Sequence, residues 1–180
     1  MYSVPSGTST SATNSGWVTA MAPGEGQRLT YEDVKIGAHI PSWSFDYTVR
    51  IMVRWCAAVE TWRRDHYDYE YAVKELGLPN AVGSGYWTQA CFYKLLYQWV
   101  GDEGWVWKMS HQLRGNLLPH HVFTFWGKVV EKSVKDGLGY VDLDLGLSQE
   151  GGTVLSPGHA TVVVPVRGGK PVPYPFPRAR

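Results

Sequence analysis

The nine residues 60–68 (ETWRRDHYD) gather one glutamate, two aspartates, two arginines and one histidine. His66 is the side chain among them whose ordinary pKa lies near neutrality, so it could take up and release a proton during a reaction. Taken alone, it reads first as a structural histidine at a helix start. Its neighbours have plain readings too. Asp65 suits a helix N-cap and Asp68 a first-turn acid that complements the helix dipole. Glu60 suits a solvated carboxylate paired with Arg63 or Arg64 at helical spacing.

Other reactive residue types form no working pattern. His111, His120 and His121 lie on a strand and a turn without carboxylates at ligand spacing, so no metal is expected. Gly83-Ser84-Gly85 lacks the lysine and third glycine of a phosphate loop and the spacing of a nucleophile elbow. Cys56 and Cys91, the only cysteines, sit inside apolar runs and form neither a disulfide framework nor a zinc motif. Seventeen basic and sixteen acidic residues leave a net charge of +1, without the basic excess of a nucleic-acid binder.

These residues need a scaffold, and 180 residues with 44% apolar side chains suffice for one core. Residues 1–28 have low complexity and read as a flexible N-terminal arm. Residues 29–167 read as the ordered domain. Residues 168–180 (GGKPVPYPFPRAR) place prolines at alternate positions, which enforces an extended tail that cannot join a sheet interior. The start of the chain lacks a basic region followed by an apolar one, and no stretch approaches the roughly 20 apolar residues of a membrane span. A soluble, cytoplasmic protein is expected.

Within the domain, residues 42–49 alternate Trp43, Phe45, Tyr47 and Val49 against polar neighbours, the period of a half-buried strand. Residues 50–62 and 66–76 have helical spacing. Residues 86–100 (YWTQACFYKLLYQWV) carry so little charge that a central, buried helix is predicted. Strands are predicted over 105–113, 121–132, 139–148 and 153–166, joined in an antiparallel meander that the earlier strand completes to five. The expected class is α+β: a sheet of about five antiparallel strands wrapped round one long helix, the hotdog arrangement. Nine tryptophans and eleven tyrosines suggest a broad apolar pocket or a large interface.

The order of motifs resembles the MaoC-like hotdog dehydratases and (R)-specific enoyl-CoA hydratases, within them the mesaconyl-CoA-hydratase-like branch. LTYEDVKIGAHIP (29–41) is similar to the family's lead-in. RWCAAVETWRRDHYDYEYA (54–72) is similar to its helix and catalytic histidine, with His66, Asp68 and Ala72 at the family's spacing. AVGSGYWTQACFYKLL (81–96) matches the small-residue turn that starts the central helix. SHQLRGNLLPHH (110–121) and residues 141–164 resemble the closing strands.

The resemblance implies addition of water to, or its removal from, the C2–C3 bond of an acyl-CoA or carrier-bound acyl thioester, without a cofactor. His66 would be the acid/base. The Gly85 and Tyr86 amides at the helix start would meet the developing enolate oxygen. Trp62, Tyr86 and Trp87 would touch the acyl group, implying a bulky or aromatic one, and Arg63 and Arg64 the CoA phosphates. One departure stands out. Five residues before the histidine, where the family carries Asp or Asn, this chain has Thr61, with Glu60 one position further back. Glu60 could reach the same point, or the chain could be a substrate-shaping, non-catalytic subunit of a heteromer. A homodimer or a heterodimer with a homologous hotdog subunit is expected. A thioesterase would need a carboxylate on the central helix, and residues 86–100 contain none.

Overall fold

The first strand, β1 (Trp43–Tyr47), points Trp43, Phe45 and Tyr47 inward while Ser44 and Asp46 stay exposed. Thr48 ends it by capping helix α1 (Val49–Ala58), its hydroxyl accepting from the Ile51 amide at 3.4 Å. Helix α1 stops at Glu60, which adopts a left-handed φ of +52°, and the Thr61 amide returns to the Cys56 carbonyl at 3.0 Å. This is a Schellman-type stop with glutamate where glycine is the common choice. The computed structural model describes residues 28–176. The expected N-terminal arm therefore lies, apart from Arg28, outside the described residues.

The helix predicted over 66–76 is shorter. Arg64–His66 form a single 3-10 turn, and helix α2 spans Tyr69–Lys74. Its cap is Asp68, whose Oδ1 accepts from the Tyr71 amide at 3.0 Å, and not Asp65. Asp68 lies immediately before the first helical residue; Asp65 is three positions too early to reach the free amides.

Helix α3 (Gly85–Val100) follows the predicted span. Gly101 ends it with φ +66° and donates its N–H to the Tyr97 carbonyl at 3.0 Å. Its burial corrects the sequence expectation. Trp87, Thr88, Cys91, Phe92, Leu95, Leu96, Trp99 and Val100 face the sheet, whereas Tyr86, Lys94, Tyr97 and Gln98 are exposed. Aromatic and amide side chains, with Lys94 as the charged one, thus occupy an outer face that no described residue covers.

Four strands follow: β2 (Trp105–His111), β3 (His121–Lys135), β4 (Leu138–Gln149) and β5 (Val154–Pro165). All pairings are antiparallel, in the order β1-β3-β4-β5-β2. Only β3, β4 and β5 form the predicted meander; β2 lies at the far edge, beside β5. The reason is visible after β2 ends. The amides of Gln112 and Arg114 bond the carbonyls of Pro157 and Leu155 at 2.9 and 2.8 Å, which keeps this segment on the β5 side. The chain then crosses to the other edge, where the His120 amide bonds the Tyr47 carbonyl at 2.7 Å and β3 starts beside β1.

The core lies between α3 and the concave face of the sheet. On β4, Val141, Leu143, Leu145 and Leu147 are buried, as their alternation predicts. Phe45, Tyr47, Trp87, Phe123 and Phe125 form an aromatic cluster against them, with Tyr47–Trp87 centroids at 4.9 Å and Phe45–Trp87 at 5.3 Å. Each such buried side chain contributes about 1.5–3 kcal/mol of transfer free energy. Beyond β5, Tyr174 and Phe176 lie against the Trp105 ring at 5.7 and 6.4 Å. Among the described residues, no helix is long and apolar enough to cross a membrane.

Candidate active site

Two short segments meet where α3 begins. The 3-10 turn holding Asp65 and His66 packs against the loop before Ser84. The Val82 amide donates to the Asp65 carbonyl at 2.9 Å, and the His66 Nδ1 lies 2.9 Å from the Val82 carbonyl oxygen. A carbonyl only accepts, so Nδ1 carries the proton of the neutral ring and Nε2 keeps its lone pair. The side chain of His66 is 12% exposed, so it is held and still reachable.

Asp65 is the carboxylate nearest to that ring, with Oδ2 3.8 Å from Nδ1. It is 7% exposed and is gripped by Arg63 through Nε–Oδ1 at 3.1 Å and Nη2–Oδ2 at 2.9 Å. Burial works to raise its pKa, but the Arg63 hydrogen bonds and the charges of His66 and Arg63 hold it below the usual carboxylate range. Arg64 turns to Asp68, with Nη2–Oδ2 at 2.8 Å, and stacks over the Tyr71 ring. Both arginines are thus paired with aspartates and not with Glu60.

The structure brings His66 close to the start of α3 through Val82. It does not bring Glu60 there: the residue is exposed at the left-handed end of α1 and makes no hydrogen bond to His66. Thr61 is half-buried, its amide committed to Cys56.

Ser84 precedes α3 without a side-chain cap, and its carbonyl accepts first from the Thr88 amide at 3.2 Å. The Gly85 and Tyr86 amides therefore have no intrahelical acceptor and point out of the positive end of the helix dipole. Beside them lies an open cavity of about 380 Å³ lined by Gly83, Leu113, Arg114, Gly115, Asn116 and Leu117. Two glycines set its walls. A Cβ on Gly83 would stand 2.6 Å from the Tyr47 hydroxyl and 2.8 Å from Leu117 Cβ, and one on Gly85 would stand 2.7 Å from Leu113 Cδ1.

The aromatic residues separate. Tyr86 is 76% exposed in the first turn of α3, and Trp62 is exposed with its ring 6.2 Å from that of Tyr67. Trp87 turns away into the aromatic core and lines a second cavity of about 300 Å³ with Ile51, Arg54, Trp55 and Ala58. The segment Leu113–Leu117 carries no reactive signature in the sequence; its turn residues after a strand were the one available signal. The histidines at 111, 120 and 121 form no metal-holding group among the described residues. His111 Nδ1 meets the Ser156 hydroxyl at 2.9 Å, His121 Nδ1 meets the Gln149 amide at 3.0 Å, and His120 sits at φ +69°. Burial pushes the Cys91 thiol up to about 12, which leaves it an inert thiol at neutral pH.

No family model matches the chain, and no curated protein matches it in sequence. Solved structures do match in fold. The (R)-hydratase PhaJ1 from Pseudomonas aeruginosa is 14% identical, with a TM-score of 0.68 over 77% of this chain and 87% of that one. The ChsH1-ChsH2 complex from Mycobacterium tuberculosis is 17% identical, with a TM-score of 0.64 over 73% of this chain and 98% of that one. A MaoC-like dehydratase is 23% identical, with a TM-score of 0.65 over 92% of this chain and 51% of its own length. At these identities the likeness is one of architecture, and the architecture is the hotdog fold.

Proposed function

We propose that the protein is a hydratase or dehydratase acting on the C2–C3 bond of an acyl thioester, of the MaoC-like kind and its mesaconyl-CoA-hydratase-like branch. The single observation that carries the proposal is His66 tied through Val82 to the loop that opens onto the free amides of Gly85 and Tyr86.

The thioester carbonyl accepts from the Gly85 and Tyr86 amides, which stabilise the enolate that forms when water adds to C3. His66 Nε2 takes the proton of the attacking water as its oxygen bonds C3. The imidazolium then returns that proton to C2, and the enolate collapses to the thioester. Dehydration runs the same steps backwards. Thr61, half-buried ahead of the histidine's turn, is the polar side chain that would orient water there in place of the exposed Glu60. Arg63 and Arg64 face solvent next to this turn and meet the phosphates of CoA. Tyr86, Trp62 and Leu113 leave apolar surface exposed around the site, which favours a bulky or aromatic acyl group over a slim chain. Trp87 backs that surface from the core.

The exposed outer face of α3 calls for a second hotdog subunit, identical or homologous, in a cytoplasmic assembly. The test is hydration of crotonyl-CoA and of branched or aryl enoyl-CoAs by the purified chain. Turnover that disappears in His66→Ala, with the circular-dichroism spectrum kept, supports the proposal; turnover unaffected by that change refutes the role.

The exposure of Glu60 favours a second reading, a non-catalytic subunit that shapes the acyl site of a partner. In that case the chain alone hydrates no enoyl-CoA, and activity arises only when a sister hotdog subunit is added.

A further inference from the structure

A second group of polar side chains lies inside the sheet, away from His66. We infer that Thr88, His111 and Ser156 form a recognition site for a neutral hydroxyl or carbonyl group on the acyl chain. The inference rests on the acyl-thioester reading and narrows its substrate class.

Thr88 is fully buried on α3, and its hydroxyl has no hydrogen-bond partner among the described residues. A threonine inside a helix commonly bonds the carbonyl four residues back; this one does not. Ser156 on β5 is also fully buried, and its hydroxyl meets His111 Nδ1 at 2.9 Å. The His111 ring lies 5.4 Å from that of Phe92, which follows Thr88 by one turn on the same face of α3. Phe92 thus links the Thr88 face of α3 to the His111–Ser156 pair on β2 and β5, and all three polar side chains lie on the side of the sheet that α3 covers.

The patch lies behind the candidate active site. Leu113, two residues beyond His111 and on the same side of that strand's continuation, leans on Gly85 and lines the cavity at the helix start. It is 48% exposed, so its side chain can rotate aside. Measured along the helix, Thr88 is about 4.5 Å and Phe92 about 10 Å from Gly85. An acyl chain spans that distance a few carbons beyond its thioester carbonyl.

The chemistry of the patch selects among substituents. Burial lowers the pKa of His111, so its ring is neutral at pH 7. The buried polar residues are Asp65, Ser84, Thr88 and Ser156, with no buried lysine or arginine among the described residues. A carboxylate would find no cation here. A hydroxyl or ketone would find the free Thr88 hydroxyl, whereas a plain hydrocarbon leaves it unpaired.

The test compares plain, ω-hydroxylated and ω-carboxylated trans-2-enoyl-CoAs of matched length in turnover. Calorimetry of the matching saturated acyl-CoAs gives a second measurement independent of catalysis. At one chain length, kcat/KM or affinity should favour the hydroxylated compound at least about tenfold, with no such gain for the carboxylate. Thr88→Val should abolish the preference and Thr88→Ser should retain it. Binding of acyl-CoAs without preference at any length, or a preference that survives Thr88→Val, overturns the inference while leaving the hydratase reading standing. Neither turnover nor binding of any acyl-CoA overturns that reading, and the inference with it.

Discussion

The imidazole of His66 is tied by its Nδ1 to the carbonyl oxygen of Val82, 2.9 Å away, on the loop that leads into α3. Val82 in turn gives its amide to the carbonyl of Asp65, so one residue of the loop holds two consecutive residues of the turn. This double tie sets the histidine's tautomer and its distance from the free amides at Gly85. It does so through a backbone carbonyl, where a histidine-centred site usually uses a carboxylate; Asp65 Oδ2 stands 3.8 Å from Nδ1, beyond hydrogen-bond distance.

His66→Gln can keep a hydrogen bond to Val82 but cannot accept and hold a proton. Hydration of an enoyl-CoA should fall by about 10²–10⁴-fold, the range of a lost general acid–base. Because His66 makes one side-chain hydrogen bond, which glutamine can replace, the melting temperature should move little. Steady-state kinetics and thermal melts on the same preparation check both statements; retained turnover removes His66 from the mechanism.

Gly83→Ala tests the loop itself. The added methyl meets the buried Tyr47 hydroxyl and Leu117, neither of which can swing into solvent. Overpacking of this kind costs about 1–3 kcal/mol. The loop should also shift relative to His66, so activity should fall more than the fraction unfolded explains. Urea unfolding gives the first quantity and kcat the second.

The Arg63–Asp65 pair gives a pH-dependent prediction. The carboxylate's folded pKa is lowered, so the stability it contributes is present above the unfolded value of about 4 and is lost as pH falls through the folded value. Arg63→Ala leaves Asp65 buried without its bidentate partner and should destabilise the fold by about 1–2 kcal/mol at pH 7. Arg63 is itself largely exposed, which keeps the figure at this low end. The difference from wild type should shrink as pH drops below about 4. A difference that is constant from pH 7 to pH 3 would place the effect elsewhere.

The strands were readable because alternation records which face is buried, and β4 shows this without ambiguity. Strand order was not, because alternation in β2 says nothing about which edge it joins. That was decided by Gln112 and Arg114 bonding β5 before the chain crosses back to β1. At the site, His66 and Gly85 stood out only through the family resemblance, since His66 alone reads as a structural histidine. Of the two aspartates, Asp68 took the capping role expected of Asp65, and Asp65 became a buried partner of Arg63. Both aspartates precede a helix in sequence, and only the position of the first helical residue distinguishes cap from buried ion pair. Leu113–Leu117 escaped notice because cavity walls need shape and not reactive groups.

The outer face of α3 carries the last prediction. Tyr93 and Tyr97 stack there with centroids 6.4 Å apart, Tyr86 stands 76% exposed, and the helix has no carboxylate to keep this face in water. Exposed aromatic area of this kind marks a surface that pairs. A 20.2 kDa chain that pairs through α3 should sediment at twice that mass. Tyr97→Lys combined with Tyr93→Glu should return it to the monomer and expose aromatic surface to a hydrophobic dye. Since the Gly85 amides open beside Tyr86 on this same helix, the monomeric variant should also lose affinity for acyl-CoA. A wild-type chain that sediments as a monomer at micromolar concentration would mean that α3 is covered by a different, homologous subunit or stays bare.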